Sequence, residues 1–322
     1  MSVQNPNPKV PQEFWSSYIV EKLFKENPHM ALCMDESKFV MGGSVVYIPQ
    51  AGAKPNVVKN RSSLPAAAVQ RADTVVLYPL DDWTTDPTLI TASEAQEISY
   101  PKQDSVLGDI VATMVETIGD ELLYNWVRGY KPVSGGGTTV EYIPTTRQIA
   151  TSGAATAVNP NDGQTGTRKA LSYKDFQAAQ AQFNKDSVPK TERYAICESY
   201  MFQQLMDSFS ANQMAAFGQT VDLENGILGK FAGFTFLERS SVLSLSTAGV
   251  PNPVGQALAA TDNLGCLVWQ KNSVGKSMGT NELFQRANDP MYYGDIFSGR
   301  IKMGGRCRRE DWKGIALIVQ TT

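Results

Sequence analysis

His29 is the single histidine in 322 residues, so any imidazole chemistry must pass through it. A Ser/His/Asp or Cys/His arrangement would depend on that residue alone. Mechanisms with two imidazoles and His-rich zinc sites are excluded outright. His29 lies in Glu26-Asn27-Pro28-His29-Met30 and reads as a surface histidine beside a helix end. The four cysteines, Cys33, Cys197, Cys266 and Cys307, are separated by 164, 69 and 41 residues. With no CxxC or CxxH spacing they read as reduced, mostly buried thiols in a reducing cytoplasm. Carboxylate or lysine chemistry remains open, and no cofactor or metal is expected.

Gly275-Lys276-Ser277 matches the end of a phosphate-binding loop. The full pattern needs glycine at position 270, which is Gln270, and no apolar helix pattern follows. A surface turn is the expectation. Asp162-Gly163 lacks the alternating acidic ligands of a calcium loop. Arg306, Arg308 and Arg309 form a short basic cluster. On a strand, Arg306 and Arg308 share a face and Arg309 points away. Such a cluster contacts phosphate or an acidic partner, or pairs with Glu310, Asp311 or a neighbouring chain's carboxylates. Pairing is the favoured reading.

The formal net charge is −3, from 29 basic and 32 acidic residues. That balance argues against a protein that seeks nucleic acid by bulk charge. Charged residues make up 19%, and 42% are hydrophobic. A chain this long buries about three quarters of its unfolded surface, as one large domain or two closely joined ones. No run of 18 apolar residues exists, so no membrane span is expected. The polar, proline-rich start, Met1 to Pro11, shows no signal-peptide pattern.

Several elements are legible. An extended arm (1–12) leads into an amphipathic helix from Phe14 to Lys25, stopped by Asn27-Pro28. Strands are expected at Val45–Ile48, ending at Pro49, and at Thr74–Leu80 and Thr88–Thr91. Together, residues 39–100 read as a long hairpin or pair of ribbons with too few apolar residues for a core of its own. A lone two-stranded ribbon is marginal in water, so this one must lie on something, including a neighbouring subunit. Residues 41–72 carry Lys54, Lys59, Arg61 and Arg71 with no acidic residue. Residues 73–100 carry Asp73, Asp81, Asp82, Asp86, Glu94 and Glu97 with no basic one. These +4 and −6 blocks pair within the hairpin or between chains, or form two solvated faces.

The clearest helix runs from Ser105 to Arg128, with Asp104 as N-cap and Gly129 as C-terminal stop. Val106, Leu107, Ile110, Val111, Met114, Ile118, Leu122 and Trp126 make its apolar stripe; Asp109, Thr113, Glu116 and Asp120 line another face. Residues 130–170 read as a long Gly/Thr/Ser-rich loop in which only Val140–Ile143 is strand-like. A helix capped by Ser172 follows, then a strand at Arg193–Cys197 and a helix capped by Ser199. Strands are expected at Lys230–Leu237 and Leu264–Trp269. Strand-rich residues 291–309 and a turn at Glu310–Lys313 precede a final apolar run, Ile315–Val319, suited to a fully buried strand.

This order of elements resembles the major capsid protein of tailed bacteriophages, an α+β architecture called the Hong Kong 97-like fold. The likeness rests on Val10-Pro11-Gln12-Glu13-Phe14-Trp15, Gly43-Ser44-Val45-Val46-Tyr47-Ile48-Pro49, the 104–128 helix, and Val188-Pro189 with Ala195-Ile196-Cys197-Glu198. Phe231-Ala232-Gly233-Phe234-Thr235-Phe236, Gly294-Asp295 and Asp311-Trp312-Lys313-Gly314-Ile315-Ala316 complete it. The resemblance implies an N-terminal arm (1–38), an extended β-ribbon loop (39–102), a peripheral domain with its spine helix and a loop (103–170), an axial domain (171–289) and closing strands of the peripheral domain (290–322). It also implies a homo-oligomeric icosahedral shell of hexamers and pentamers around double-stranded DNA, held mainly non-specifically. The shell would form in the host bacterial cytoplasm, become the virion capsid, and use a separate scaffolding protein and a portal.

On this reading the protein is not an enzyme. Contacts between subunits would fall on Lys54, Lys59, Arg61, Arg71, Asp81, Asp82 and Asp86 of the ribbon, on Asp109, Glu116 and Asp120 of the spine helix, and on the basic cluster Arg306, Arg308 and Arg309. An encapsulin-like shell around enzyme cargo shares the fold and is the runner-up. A soluble carboxylate enzyme is a third reading.

Overall fold

A computed structural model describes residues 27–40, 45–52, 56–62, 65, 68, 70–91, 102–132, 138–159, 163–218 and 227–322. The expected arm helix and Lys54 lie outside them. Among the described residues, four α-helices pack on and between four sheets: α1 (Lys102–Val127), α2 (Tyr173–Lys185), α3 (Ser199–Asp207) and α4 (Ala211–Gly218).

The central sheet has eight strands. Asn263–Gln270 is its axis, antiparallel to both Arg193–Glu198 and Ile315–Val319. The sheet is apolar on both faces, and the period of two sorts its side chains between two cores. Ile196, Leu267, Trp269, Ile315 and Leu317 point to one side, towards α1. Ala195, Cys197, Cys266, Val268, Ala316 and Ile318 point to the other, where α2, α3 and α4 lie. The expected fully buried last strand is present: all five of its residues are buried.

On the second face, α2 buries Phe176, Ala179 and Phe183 at helical spacing. Ser172 caps it as expected: its Oγ accepts from the Lys174 amide, and Asp175 accepts from the Ser172 amide in return. Phe176 meets Phe236 edge-on at 4.7 Å. Two local expectations differ. Glu198, rather than Ser199, caps α3, its carboxylate accepting from the Tyr200 and Met201 amides. Residues 227–239 form a hairpin, not one strand. Ile227–Phe231 turns at Ala232-Gly233, both with positive φ (48° and 76°), and returns as Phe234–Arg239.

α1 starts at Lys102 and ends at Val127, and its 26 residues span about 39 Å. The expected apolar stripe is buried from Ile110 to Trp126. Asp104 is therefore inside the first turn, and the chain passes straight into a strand, Arg128–Pro132, without a glycine stop. α1 lies between the central sheet and a five-stranded sheet dominated by one long hairpin, Val274–Asp289 with Gly294–Cys307. Asp81–Thr84 and Thr88–Thr91 pair with the outer strand of that hairpin.

Gly275-Lys276-Ser277 is not a surface turn. It sits in the long hairpin with Lys276 and Ser277 buried. Residues 130–170 also hold more structure than expected, with strands Thr138–Tyr142, Gln148–Ala150, Ala155–Ala157 and Thr167–Lys169. Short polar strands of three residues carry too little periodicity to be read.

The ribbon hairpin pairs Val45–Gln50 with Thr74–Pro79 and continues through Pro49, a position tolerated at a sheet edge. One ladder pair, Leu77 with Tyr130, joins it to Arg128–Pro132 and Thr138–Tyr142. Its inner face holds a core of five: Val46, Ile48, Val76, Tyr78 and Leu80.

Candidate assembly interface

The ribbon leaves the body over a seat built from three separate stretches. The first is the strap of residues 27–39. Asn27 Nδ2 donates to the Val115 carbonyl of α1, and Trp269 Nε1 donates to the Leu32 carbonyl. His29 is buried, not on the surface: its Nε2 lies 3.2 Å from the Gly119 carbonyl, and its ring meets Trp126 edge-on at 5.8 Å. The strap folds against α1, so the surface reading of this histidine fails. Burial, and then the positive charge of Arg239, lowers the His29 pKa to about 3, so the ring is neutral and donates from Nε2.

The second stretch is the inner strand of the long hairpin. Lys276 Nζ donates to the Met30 carbonyl at 2.7 Å, and the Lys276 carbonyl accepts from the Glu36 amide. Burial lowers the Lys276 pKa and pushes Cys33 up to about 12. All four cysteines are free and buried, as expected.

The third stretch is the end of the closing strand, the basic cluster itself. Arg306 Nη1 donates to the carbonyls of Leu77 (2.8 Å) and Tyr130 (2.5 Å). Arg308 Nε donates to Glu36 Oε1 at 2.6 Å. The other oxygen of Glu36 accepts from the Tyr78 hydroxyl at 3.0 Å. Gln50 Nε2 donates to the Arg308 carbonyl, and Thr74 Oγ1 to Glu310. Burial, then Glu36, pushes the Tyr78 phenol far above its usual range, so it stays a donor. Arg309 points away and forms a two-pronged pair with Asp311 at 2.9 and 2.8 Å. Pairing thus accounts for Arg308 and Arg309, with Glu36 as a partner the local sequence did not suggest. Arg306 instead meets backbone carbonyls.

The remaining candidate residues are dispersed. Lys59 and Arg61 are exposed at the ribbon tip. Arg71 pairs with Asp73 at 2.6 Å in a fully exposed position. Asp82 pairs with Arg300 of the long hairpin. Asp81 is raised by burial, opposed by Arg128 and a hydrogen bond from Asn125. Asp86 and Asp109 line one shallow cleft beside α1 with Ile110 and Thr113. Glu116 is exposed on α1. Asp120 lies 2.6 Å from Arg239, yet burial outweighs that attraction and raises its pKa.

Among the exposed apolar side chains, two groups stand together. On the outer face of the ribbon sheet, register aligns Tyr47, Leu77, Tyr130 and Val140 in one row, with Tyr47 61% and Val140 41% exposed. Val57, at the tip, is 92% exposed. The turn of the long hairpin presents Met291, Tyr292 and Tyr293. Asp289 shapes that turn, its carboxylate accepting from the Met291 amide and its carbonyl from the Tyr293 amide. Sequence reasoning passed over this turn. The readable signal was three large apolar residues between Pro290 and Gly294.

Among the described residues, no group of three His, Cys, Asp or Glu side chains could hold a metal. A cavity of about 540 Å³ beside Ser240, Ser241 and Ser244 holds one carboxylate, Glu198, which caps α3.

A family described as phage capsid protein matches residues 37–289. A solved structure from Mycobacterium phage Che8 superposes with a TM-score of 0.56 at 15% identity, covering 89% of each chain. The capsid structure of cyanophage P-SCSP1u gives 0.56 at 17% identity, over 89% of this chain and 86% of that one. The cyanophage Pam1 capsid gives 0.60 at 11% identity, over 89% and 87%. No curated protein matches. At these identities the structural likeness is one of fold, and it is the Hong Kong 97-like α+β fold expected from the sequence.

Proposed function

The chain belongs to the phage capsid protein family as a major capsid protein of the virion, and we propose that its copies close as hexamers and pentamers into an icosahedral shell around double-stranded DNA. The match of the family over most of the chain carries this reading. Capsid structures among the fold neighbours support a shell of repeated subunits. Assembly belongs to the host bacterial cytoplasm, with a separate scaffolding protein and a portal as partners and DNA held mainly without sequence preference.

The ribbon carries the contacts on this proposal. Lys54, Lys59, Arg61 and Arg71 reach a neighbouring copy, and the carboxylates Asp81, Asp82 and Asp86, with Asp109, Glu116 and Asp120 of α1, form acidic surface for a neighbour's basic tip. Complementary blocks of this kind fix orientation and partner choice more than raw affinity. Many weak contacts then add through symmetry. Negative-stain microscopy of the expressed chain, with and without a candidate scaffold, is the test. Closed particles of uniform size are expected. A monodisperse monomer at high concentration under both conditions contradicts the proposal.

A further inference from the structure

We infer that Arg306 is a positioning residue for assembly: its guanidinium bolts the ribbon hairpin (45–50 with 74–79) to the body at the one ladder pair that, among the described residues, joins it to the next strand. This rests on the capsid reading only for what the ribbon is for; the bolt itself is a property of one subunit. The ribbon hairpin shares a single ladder pair with the next strand, Leu77 with Tyr130. Arg306 Nη1 donates to the carbonyl of each member of that pair. One side chain therefore holds both strands at the hinge.

The site is built to admit it. A Cβ at residue 129 would lie 2.8 Å from Arg306 Nη2 and 3.2 Å from Trp312, so only glycine leaves room for the guanidinium there. Trp312 reaches this position with a positive φ of 54°. Arg306 is 3% exposed, and among the described residues no carboxylate pairs with it. Its Nε has no hydrogen-bond partner among those residues. Glu141 and Glu310 act on it only at a distance, with burial as the larger influence. A buried cation without a counter-ion is a poor way to stabilise a fold, and an apolar replacement of similar shape is often neutral or better. Its bonds go instead to the ribbon hinge, where the two hydrogens of one terminal nitrogen, Nη1, reach two carbonyls at once.

The test compares the full-length chain with Arg306→Met and, separately, Gly129→Ala, which keeps the arginine but displaces its guanidinium. Amide exchange is followed in the ribbon strands (45–50 and 74–79) and in the central sheet (263–270 and 315–319). Both variants are expected to exchange about tenfold faster in the ribbon alone, with the central sheet unchanged. Particle yield falls with them. Unchanged ribbon protection in either variant, or an equal acceleration in both sheets, overturns the inference. If the unaltered chain forms no particles, the capsid reading fails, while the exchange pattern still decides the bolt.

Discussion

The central sheet and the ribbon sheet are built from similar strands and solve opposite problems. The central sheet is apolar on both faces and covered on both, by α1 on one side and by α2, α3 and α4 on the other. The ribbon sheet has a core of five residues on one face and an exposed row beginning at Tyr47 on the other. Lys59, Arg61, Arg71 and Asp73 stand exposed beyond the ends of its strands. The first region completes its burial within one chain. The second completes part of it through the seat of Glu36, Arg306 and Arg308, and leaves the rest exposed. On the proposed reading, stability and assembly fall to different sheets, and substitutions should separate them.

The largest effect belongs to the central sheet. Trp269→Ala should cost about 3–5 kcal/mol, seen as a lower urea midpoint, because the indole is fully buried against both Trp126 and the strap. A loss under 1 kcal/mol would break the distinction between the two sheets. Next comes the seat. Glu36→Ala removes the carboxylate that Arg308 Nε and the Tyr78 hydroxyl share, at a cost of roughly 2–3 kcal/mol; Arg308 is a quarter exposed and keeps its bond to the Asn272 carbonyl, which moderates the penalty of a broken buried pair. The change should loosen ribbon amides more than those of the central sheet, as read by hydrogen exchange.

Acid should act on the strap. His29 has a folded pKa of about 3 against 6.5 unfolded, so the unfolded chain binds the proton first. Its contribution is complete above pH 6.5 and is lost as pH falls towards 3. By about pH 5 the loss is about 2 kcal/mol. The urea midpoint of the unaltered chain should therefore drop between pH 7 and about pH 5 by more than that of His29→Gln. Equal drops would place His29 in contact with water. The smallest effect on a single subunit belongs to the tip. Arg61→Glu with Arg71→Glu should leave thermal melting unchanged and lower particle yield, by light scattering, since both side chains are exposed.

What the sequence disclosed follows the same division. The α1 stripe and the run Ile315–Val319 were legible because deep, regular burial writes its period into the residues. The hairpin at 45–79 was legible through its β-branched runs. Gly275-Lys276-Ser277 was not, because its burial depends on Met30 and Glu36, more than 200 positions away. His29 failed for the same reason: Gly119 and Trp126 meet it only once the strap lies on α1. The basic cluster was visible as a cluster, but Glu36 and the carbonyls of Leu77 and Tyr130 are long-range partners that no local pattern names.

The central claim is that the ribbon serves assembly and not the fold of its own subunit. Sedimentation of the purified chain beside a variant with residues 53–70 replaced by a short Gly-Ser turn tests it most directly, under one set of assembly conditions. The account predicts that the unaltered chain sediments as closed particles, while the shortened chain melts at the same temperature yet remains a small species. Particles from the shortened chain in equal yield, or its failure to fold, would contradict it.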